Sequence, residues 1–224
     1  MLKEPKTEIM RKIGIIGSGN VGQALALGFE KYGFPVMIGS RNSEKLEAWK
    51  KESGFKGETG DFKSVASFGE ILVLAVKGSK AVEAFQLTGE ENHSGKIVID
   101  TNNPIADTQP VNGVIQFFTD SNSSLMEQLQ TRFSHVRFVK AFSCIGATHM
   151  VNPDFGGNKP TMFICGNDKE AKKEVTGILD KFGFETEDMG EVEAARAIEP
   201  LCVLWCIPGL RENSWSHAFK LLKK

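Results

Sequence analysis

Residues 12–45 read KIGIIGSGNVGQALALGFEKYGFPVMIGSRNSEK, and this stretch decides the fold. A short apolar run at 13–16 is rich in β-branched residues, which is typical of a buried parallel strand. Glycines follow at 17, 19 and 22, then a segment with helical spacing of its apolar residues, and then a second apolar run at 36–38. The order strand, glycine-rich turn, helix, strand predicts one unit of a Rossmann-type, doubly wound α/β sheet.

The three glycines predict a dinucleotide site. Gly17 permits the tight turn, Gly19 lets a diphosphate approach the backbone, and Gly22 lets the helix pack closely on the strand. The unpaired N–H groups and the partial positive charge at the start of the helix also suit a diphosphate. A glycine turn without a ligand is the alternative, but the strand before the motif and the helix after it meet the context that dinucleotide binding requires.

The end of the second strand indicates which dinucleotide is bound. An NAD site usually has Asp or Glu there, which accepts hydrogen bonds from the ribose 2′-OH. This chain has Ser40 and Arg41 instead, and Lys45 one helical turn later. Ser40 can donate to a phosphate oxygen, Arg41 can bind it with its planar guanidinium, and Lys45 can add a charge. Ordinary surface charges are the alternative reading, but the trio predicts NADP(H) rather than NAD(H).

Size and composition are typical of a globular α/β protein. The 224 residues, 41% apolar and 25% charged, are enough for one domain or for one domain with a small appendage. The net charge of −1 gives no electrostatic reason to expect nucleic acid or an anionic membrane as partner. No apolar run reaches the length of a membrane span, and residues 1–11 are predicted to be a loose leader without the apolar core of a secretory signal.

The four cysteines do not predict disulfides. Cys144, Cys165, Cys202 and Cys206 lie in apolar segments without the spacing of a disulfide framework. Cys202 and Cys206 would share a helix face and could in principle bind a metal, but no further Cys or His is close to them in sequence. Buried thiols that pack as small hydrophobic side chains are therefore expected, with no metal site and a cytoplasmic location.

The remaining elements alternate between strands and helices. Strands are predicted at 71–76, 96–101, 137–141, 162–165 and 185–189, with a very short one within 52–61. Helices are predicted at 43–51, 62–68, 169–182, from Ser79 to 85, and from Ser121 or Ser123 to 133. A helical pattern at 194–204 contains Pro200, which predicts a kink. The alternation favours a mostly parallel, doubly wound sheet.

Two strand ends are expected to lie beside the nicotinamide. The strand at 71–76 is followed by Lys77, and the strand at 96–101 by Asn102, Asn103 and Pro104. Ligands in open α/β folds bind at the carboxyl ends of the strands, so Asn103 and Pro104 are candidate neighbours of the nicotinamide. Turn formation alone is an equal alternative for the asparagines. Lys140, at another strand end, is either solvated or close to the cofactor.

Two parts of unequal size are expected. Residues 11–146 form the predicted NADP-binding domain, and residues 147–224 form a small C-terminal extension of helices and strands packed on it. Trp205, Ile207, Pro208 and Leu210 give the end of the chain more apolar surface than a terminal surface helix needs. A wall of the acceptor pocket, a dimer contact and plain core packing each account for that surface, and a homodimer is expected.

The chain resembles the coenzyme-F420-dependent NADP oxidoreductase family, whose domain family includes the cytoplasmic reductase domain of the STEAP metalloreductases. The resemblance covers nearly the whole chain and is carried by five motifs, IGIIGSGNVGQALA, IGSRN, DTNNP, VKAFSCIGA and ARAIEPLCVLW. Without a stretch long enough to span a membrane, the transmembrane electron relay of the STEAP proteins is not expected.

The resemblance also implies the placement of individual residues around the cofactor. The diphosphate would lie along Ser18, Gly19, Asn20 and Val21; the 2′-phosphate against Ser40, Arg41 and Lys45; and the nicotinamide among Val76, Lys77, Asn103 and Pro104, with Ala141 and Ile145 on its far side. F420-type enzymes often have Pro and aromatic or acidic residues where this chain has Lys77-Gly78-Ser79. The second cofactor or substrate, F420 or a flavin, therefore stays open.

The expected reaction is hydride transfer between the nicotinamide and a flat small-molecule acceptor such as F420 or a flavin. Such a transfer requires two rings held close together without water, and no nucleophile. The sequence accordingly offers no Ser/His/Asp set and no metal cluster. Among the four histidines, only His149 follows a strand on the ligand side, which makes it the candidate proton donor. The alternatives are an imine or 2-hydroxyacid reductase and a non-catalytic NADPH-binding redox sensor.

Overall fold

Six parallel strands form the main sheet of the protein. The computed structural model describes residues 10–224, so the predicted leader at 1–11 lies almost wholly outside the described residues. The strands are β1 (Ile13–Ile16), β2 (Val36–Gly39), β3 (Glu58–Gly60), β4 (Ile71–Leu74), β5 (Ile97–Asp100) and β6 (Arg137–Lys140). Their spatial order is β3-β2-β1-β4-β5-β6, with every neighbouring pair parallel. The predicted doubly wound sheet is confirmed.

The sheet has a hydrophobic core on each face, because successive side chains of a strand point to opposite sides. Ile13 and Ile15 of β1 pack in one core, and Ile16 packs in the other. The helices between these strands are α1 (Asn20–Lys31), α2 (Ser43–Ser53), α3 (Phe62–Phe68), α4 (Ala81–Gln86), α5 (Glu90–His93) and α6 (Leu125–Arg132). Both faces of the sheet are therefore covered, which leaves its carboxyl edge for a ligand.

A second, two-stranded sheet follows β6. Parallel strands β7 (Thr161–Ile164) and β8 (Glu185–Asp188) are joined by α7 (Lys169–Lys181), whose first turn is capped by Asp168. The N–H of Lys140 donates to the carbonyl of Cys165 at 2.9 Å, which connects β6 to the end of β7. The chain then forms α8 (Ala195–Ile198) and α9 (Leu201–Glu212). The division of the chain at residue 146 stays a prediction.

Two helix starts differ in detail from the predicted ones. Ser124, and neither Ser121 nor Ser123, caps α6, because its side chain accepts the N–H of Glu127. Ser79 caps no helix, since it lies inside a short 3₁₀ turn at Gly78–Lys80 that precedes α4. The helical pattern is interrupted at Pro200 as predicted, and α9 begins at the next residue. Between residues 10 and 224, no helix is long and apolar enough to cross a bilayer.

Candidate functional site: a cavity at the carboxyl edge of the sheet

A cavity of about 990 Å³ opens where β1, β2, β4 and β5 end. This is the switch point of the sheet, where the chain crosses from one face to the other and where ligands of doubly wound folds bind. Its walls come from five segments: Gly17, Ser18, Gly19, Asn20 and Val21; Ser40, Arg41 and Asn42; Phe62; Ala75, Val76, Lys77, Gly78, Lys80, Glu83, Ala84 and Leu87; and Thr101, Asn102, Asn103 and Ile105.

The three glycines of the turn have different surroundings: Gly17 and Gly22 are closely packed, and Gly19 faces open space. Gly17 has φ +121°, and a Cβ there would lie 2.1 Å from the carbonyl oxygen of Ala75. A Cβ on Gly22 would lie 2.0 Å from the carbonyl oxygen of Gly17, so neither position has room for a side chain. For Gly19, by contrast, no non-neighbouring described atom lies within 4 Å of that Cβ position. The backbone of Gly19 is thus bare toward the cavity, next to the start of α1, and this arrangement fits a diphosphate.

The tip of β2 carries polar groups and no carboxylate. The Ser40 hydroxyl accepts the N–H of Asn42 at 3.0 Å, and the Asn42 side chain accepts the N–H of Lys45 at 3.0 Å, which caps α2. Ser40 and Arg41 line the cavity, and the Arg41 side chain is 65% exposed. Lys45 is also exposed but does not line the cavity. An exposed guanidinium at the tip of β2 fits a phosphate group.

An acidic residue that sequence reasoning missed lies beside Arg41. Glu83 of α4 is 3.8 Å from the Arg41 guanidinium and 3.0 Å from Lys80 Nζ, and all three side chains line the cavity. A hydrogen bond from Lys80, together with the charges of Lys80 and Arg41, holds the pKa of Glu83 below its ordinary value. The carboxylate is therefore ionised at neutral pH. The only sign of this contact in the sequence is that α4 follows the central strand β4, which places the start of the helix at the edge of the sheet where Arg41 lies.

The ends of β4 and β5 are tied together by side chains. The Asn102 side chain accepts the N–H of Val76 at 3.1 Å, and the Asn103 amide donates to the carbonyl of Ser143 at 2.8 Å. The Lys77 ammonium pairs with Asp107 across the cavity mouth. Val76, Lys77, Asn102 and Asn103 therefore form one end of the cavity, opposite the Ser40–Arg41 end, with the glycine turn between them.

Lys140 is not solvated, which corrects one of the two alternatives drawn from the sequence. It does not line the cavity, but its ammonium group donates to the carbonyl of Asn102, which does. The Lys140 side chain is fully buried between Asp100 and Glu199, at 2.6 and 2.8 Å. Burial lowers the pKa of Lys140, but the two carboxylates outweigh it and raise the pKa to about 12. Lys140 is therefore a permanently charged, paired group inside the protein.

Besides Gly22 and Lys45, four predicted site residues do not line the cavity. Pro104 is buried, and its carbonyl accepts the N–H of Phe118 at 2.8 Å. Ala141 and Ile145 belong to the hydrophobic core beneath the sheet edge. His149 lies in a 3₁₀ turn, half-buried, with its ring centroid 5.1 Å from that of Phe155.

The cysteines are free, as predicted. Burial raises the pKa of Cys144 to about 12, and burial likewise raises that of Cys165 to about 12, so both thiols stay protonated. Cys202 and Cys206 share a face of α9 with their sulfurs 4.0 Å apart. Over the described part of the chain, no group of three or more His, Cys, Asp or Glu side chains is placed to hold a metal ion.

Comparison with known proteins supports the same reading of the cavity. Residues 12–104 match the sequence model of a family described as NADP oxidoreductase, coenzyme F420-dependent. These residues contain the glycine turn, the Ser40–Arg41 tip, and the Val76 and Asn103 end of the cavity. The matched region therefore contains all the segments that line the cavity except Ile105.

Relatives extend the likeness over most of the chain. The metalloreductase STEAP3 of Rattus norvegicus is 30% identical over 212 residues, which cover 89% of this chain and 38% of that protein. The chain thus spans about two fifths of the length of this curated relative. A crystal structure from Arthrobacter sp. FB24, described as an F420-dependent NADP-reductase, superposes with a TM-score of 0.88 at 28% identity over 95% of this chain and all of that one.

More distant structures share the fold. An imine reductase of Streptomyces aurantiacus has a TM-score of 0.66 at 14% identity, over 87% of this chain and 61% of its own. At that identity the likeness concerns architecture alone. The match of residues 12–104 to the family model and the two nearer relatives confirm the resemblance seen in the sequence: the chain is similar to the coenzyme-F420-dependent NADP oxidoreductases.

Proposed function

We propose that this protein transfers a hydride between NADP(H) and a flat acceptor such as coenzyme F420 or a flavin. The observation that carries the proposal is the cavity itself, which has a bare glycine turn in its middle and a cationic strand tip without a carboxylate at one end. The match of residues 12–104 to a family model of NADP oxidoreductases supports it. NADP(H), when bound, supplies the hydride chemistry; the protein supplies binding and orientation.

The three parts of the cofactor are assigned to three parts of the cavity. Ser40, Arg41 and Lys45 hold the 2′-phosphate, with Arg41 as the principal charge. The diphosphate lies against the backbone of residues 17–22 at the start of α1. The nicotinamide then falls at the end formed by Val76, Lys77, Asn102 and Asn103. Behind that wall lie Pro104, Ala141 and Ile145.

The chemistry of the cavity wall favours hydride transfer between two stacked rings. The described residues that line it include neither histidine nor cysteine, and its charged groups gather around Arg41 and Lys77. Reduction of a flavin-like ring needs orientation and exclusion of water rather than a nucleophile. Because His149 packs beside Phe155 and is not part of the wall, the proposed transfer does not depend on a proton from it.

A homodimer, which the sequence predicts, is part of this proposal. Its support is the exposed apolar surface of α9, where Leu204 and Leu210 are 55% and 41% exposed. A contiguous apolar patch of sufficient size marks a contact site, and a second copy of the chain packed on α9 would remove Leu204 and Leu210 from water. Sedimentation of the purified chain tests this point independently of catalysis, and a monomer at all concentrations would remove the dimer from the proposal.

Steady-state oxidation of NADPH with a panel of acceptors tests the proposed reaction. The panel contains F420, FMN, FAD, ferric chelates, cyclic imines and 2-keto acids. We expect turnover with F420 or a flavin, and with NADPH in preference to NADH. Turnover with imines or keto acids alone would assign the protein to the other class of reductase. Tight NADPH binding without turnover on any acceptor would indicate a sensor.

A further inference from the structure

A cluster of three buried charges lies directly behind the nicotinamide end of the cavity. Lys140 stands at the last position of β6, opposite Asp100 in the register of β5 and β6. Its ammonium group contacts Asp100 Oδ2 at 2.6 Å and Glu199 Oε1 at 2.8 Å, and donates to the carbonyl of Asn102 at 2.8 Å. The three N–H bonds of the ammonium group therefore have three acceptors. Buried ion pairs contribute little net stability compared with apolar packing, so this cluster calls for a reason other than stability.

The cluster controls the position of Asn102. Asp100 Oδ1 accepts both the backbone N–H of Asn102, at 3.0 Å, and its side-chain amide, at 2.9 Å. The Asn102 carbonyl accepts from Lys140, and its side-chain oxygen accepts the N–H of Val76. Each polar group of Asn102 is therefore hydrogen-bonded, and three of the four hydrogen bonds are made with Asp100 or Lys140. Since Asn102 and Val76 both line the cavity, the charges fix two parts of its wall.

Glu199 extends the cluster to the C-terminal helices. Its carboxylate accepts the backbone N–H groups of Leu125 and Met126, at 2.9 and 3.0 Å, in the first turn of α6. These are N–H groups that the helix itself leaves unpaired. Lys140 and Glu199 thus hold the end of β6, the start of α6 and the junction between α8 and α9 at one point.

We propose that Asp100, Lys140 and Glu199 form a positioning network, which holds the nicotinamide-binding wall of Val76 and Asn102 in place. The inference rests on the proposed function, because it assigns the nicotinamide to this end of the cavity. The network touches no part of the adenosine end, whose groups are Ser40 and Arg41. Its residues act through Asn102 and contact neither the cofactor nor the acceptor.

Asp100→Asn is the decisive substitution, because the carboxylate faces only donors. Oδ1 receives two N–H groups of Asn102 and Oδ2 receives the Lys140 ammonium group. Either orientation of an asparagine amide would therefore point its NH₂ group at a donor. Asp188→Asn is the matched control, since Asp188 also faces only donors, Lys172 Nζ and the N–H of Gly190, but does not line the cavity.

The experiment compares two ligands by calorimetry on the full chain. Adenosine 2′,5′-bisphosphate reports on the adenosine end, and NADPH reports on both ends. We expect Asp100→Asn to raise the dissociation constant of NADPH about tenfold and to leave that of the bisphosphate within about twofold of wild type. Asp188→Asn should leave both unchanged. If Asp100→Asn changes the dissociation constants of both ligands equally, or changes neither, the cluster has only a structural role and the inference is overturned.

Two further outcomes keep the test conclusive. If Asp100→Asn does not fold, Asn102→Ala keeps both ion pairs and removes the two side-chain bonds of Asn102, to Val76 and to Asp100. The same selective loss for NADPH is expected, and its absence would overturn the inference. If the wild-type chain binds neither ligand, the proposed function fails and the inference with it. If the wild-type chain binds both ligands and the variants keep the wild-type ratio of the two dissociation constants, the inference is overturned while the proposed function stands.

Discussion

The Cα of Gly22 lies against the carbonyl oxygen of Gly17, so closely that a Cβ on Gly22 would come within 2.0 Å of that oxygen. The first turn of α1 therefore packs directly on the backbone of the glycine turn, and this contact sets the direction in which the helix start faces. Gly19 lies between them with open space beside it. The two glycines should respond in opposite ways to the addition of one methyl group.

Gly19→Ala should fold like the wild type and bind NADPH poorly, because the methyl group enters the cavity and meets no protein atom. Gly22→Ala should instead destabilise the fold, by about 1–3 kcal/mol, the usual cost of an overpacked position. Thermal unfolding and NADPH titration of both variants check this pair. Loss of stability in Gly19→Ala, or normal NADPH affinity in it, would contradict the assignment of this turn to the diphosphate.

Arg41→Ala should weaken NADPH binding by roughly 1.5–3 kcal/mol, the value of a hydrogen bond to a charged group, and leave NADH nearly unchanged. The reason is that NADH lacks the phosphate that the guanidinium contacts in the proposed complex. Calorimetry with both cofactors gives the two affinities. Equal losses for NADPH and NADH would show that Arg41 does not recognise a 2′-phosphate.

Glu83→Gln should tighten NADPH binding and change NADH binding less. The Glu83 carboxylate stands 3.8 Å from Arg41, so it competes for the guanidinium with a phosphate of charge about −1.5 to −2 and also repels that phosphate. Glu91→Gln is the control, since Glu91 is an equally exposed carboxylate, paired with Lys63, that does not line the cavity. Weaker NADPH binding in Glu83→Gln would mean that Glu83 orients Arg41 productively.

His93 should make the protein less stable in mild acid. Its ring is buried between Phe85 and Phe133, and burial lowers its pKa from the ordinary value of 6.5, against the opposing charges of Glu90 and Glu91. Because the unfolded chain then binds the proton more readily, stability is complete above pH 6.5 and falls as the pH drops below that value.

Chemical denaturation of wild type and His93→Gln between pH 7 and pH 5 measures this acid sensitivity. The variant should lose less stability than the wild type over the interval, although it starts from a lower value at pH 7. His135→Gln, at an exposed position, serves as the control. An identical pH dependence in wild type and His93→Gln would remove His93 as the cause.

Local sequence signals were sufficient for the strands and for the glycine turn. The apolar run at 13–16 coincides with β1, and the glycine spacing placed the start of α1 beside the cavity. These features depend on residues that are close together in the chain, because hydrophobic periodicity, turn geometry and helix caps are all local patterns. The same is true of Ser40 and Arg41, which were predicted at the tip of β2 and lie there.

Contacts between residues far apart in sequence could not be predicted in this way. Lys140 was expected at a wet surface or near the cofactor, because a charged residue gives no local sign of a buried partner. Its partners Asp100 and Glu199 come from β5 and from the junction before α9, and only the strand order brings them together. The contact of Glu83 with Arg41 likewise depends on how α4 returns to the sheet edge.

The carboxylate of Glu199 has a consequence for the folding of the chain as a whole. It comes from the junction of the last two helices, yet it satisfies a lysine of the main sheet and the first turn of α6. Without the Glu199 carboxylate, the Lys140 ammonium group and the backbone N–H groups of Leu125 and Met126 would lose the acceptor that they now share. We therefore expect that residues 11–146 do not fold independently: the whole chain should melt in a single cooperative transition, and truncation after residue 146 should yield an aggregation-prone fragment.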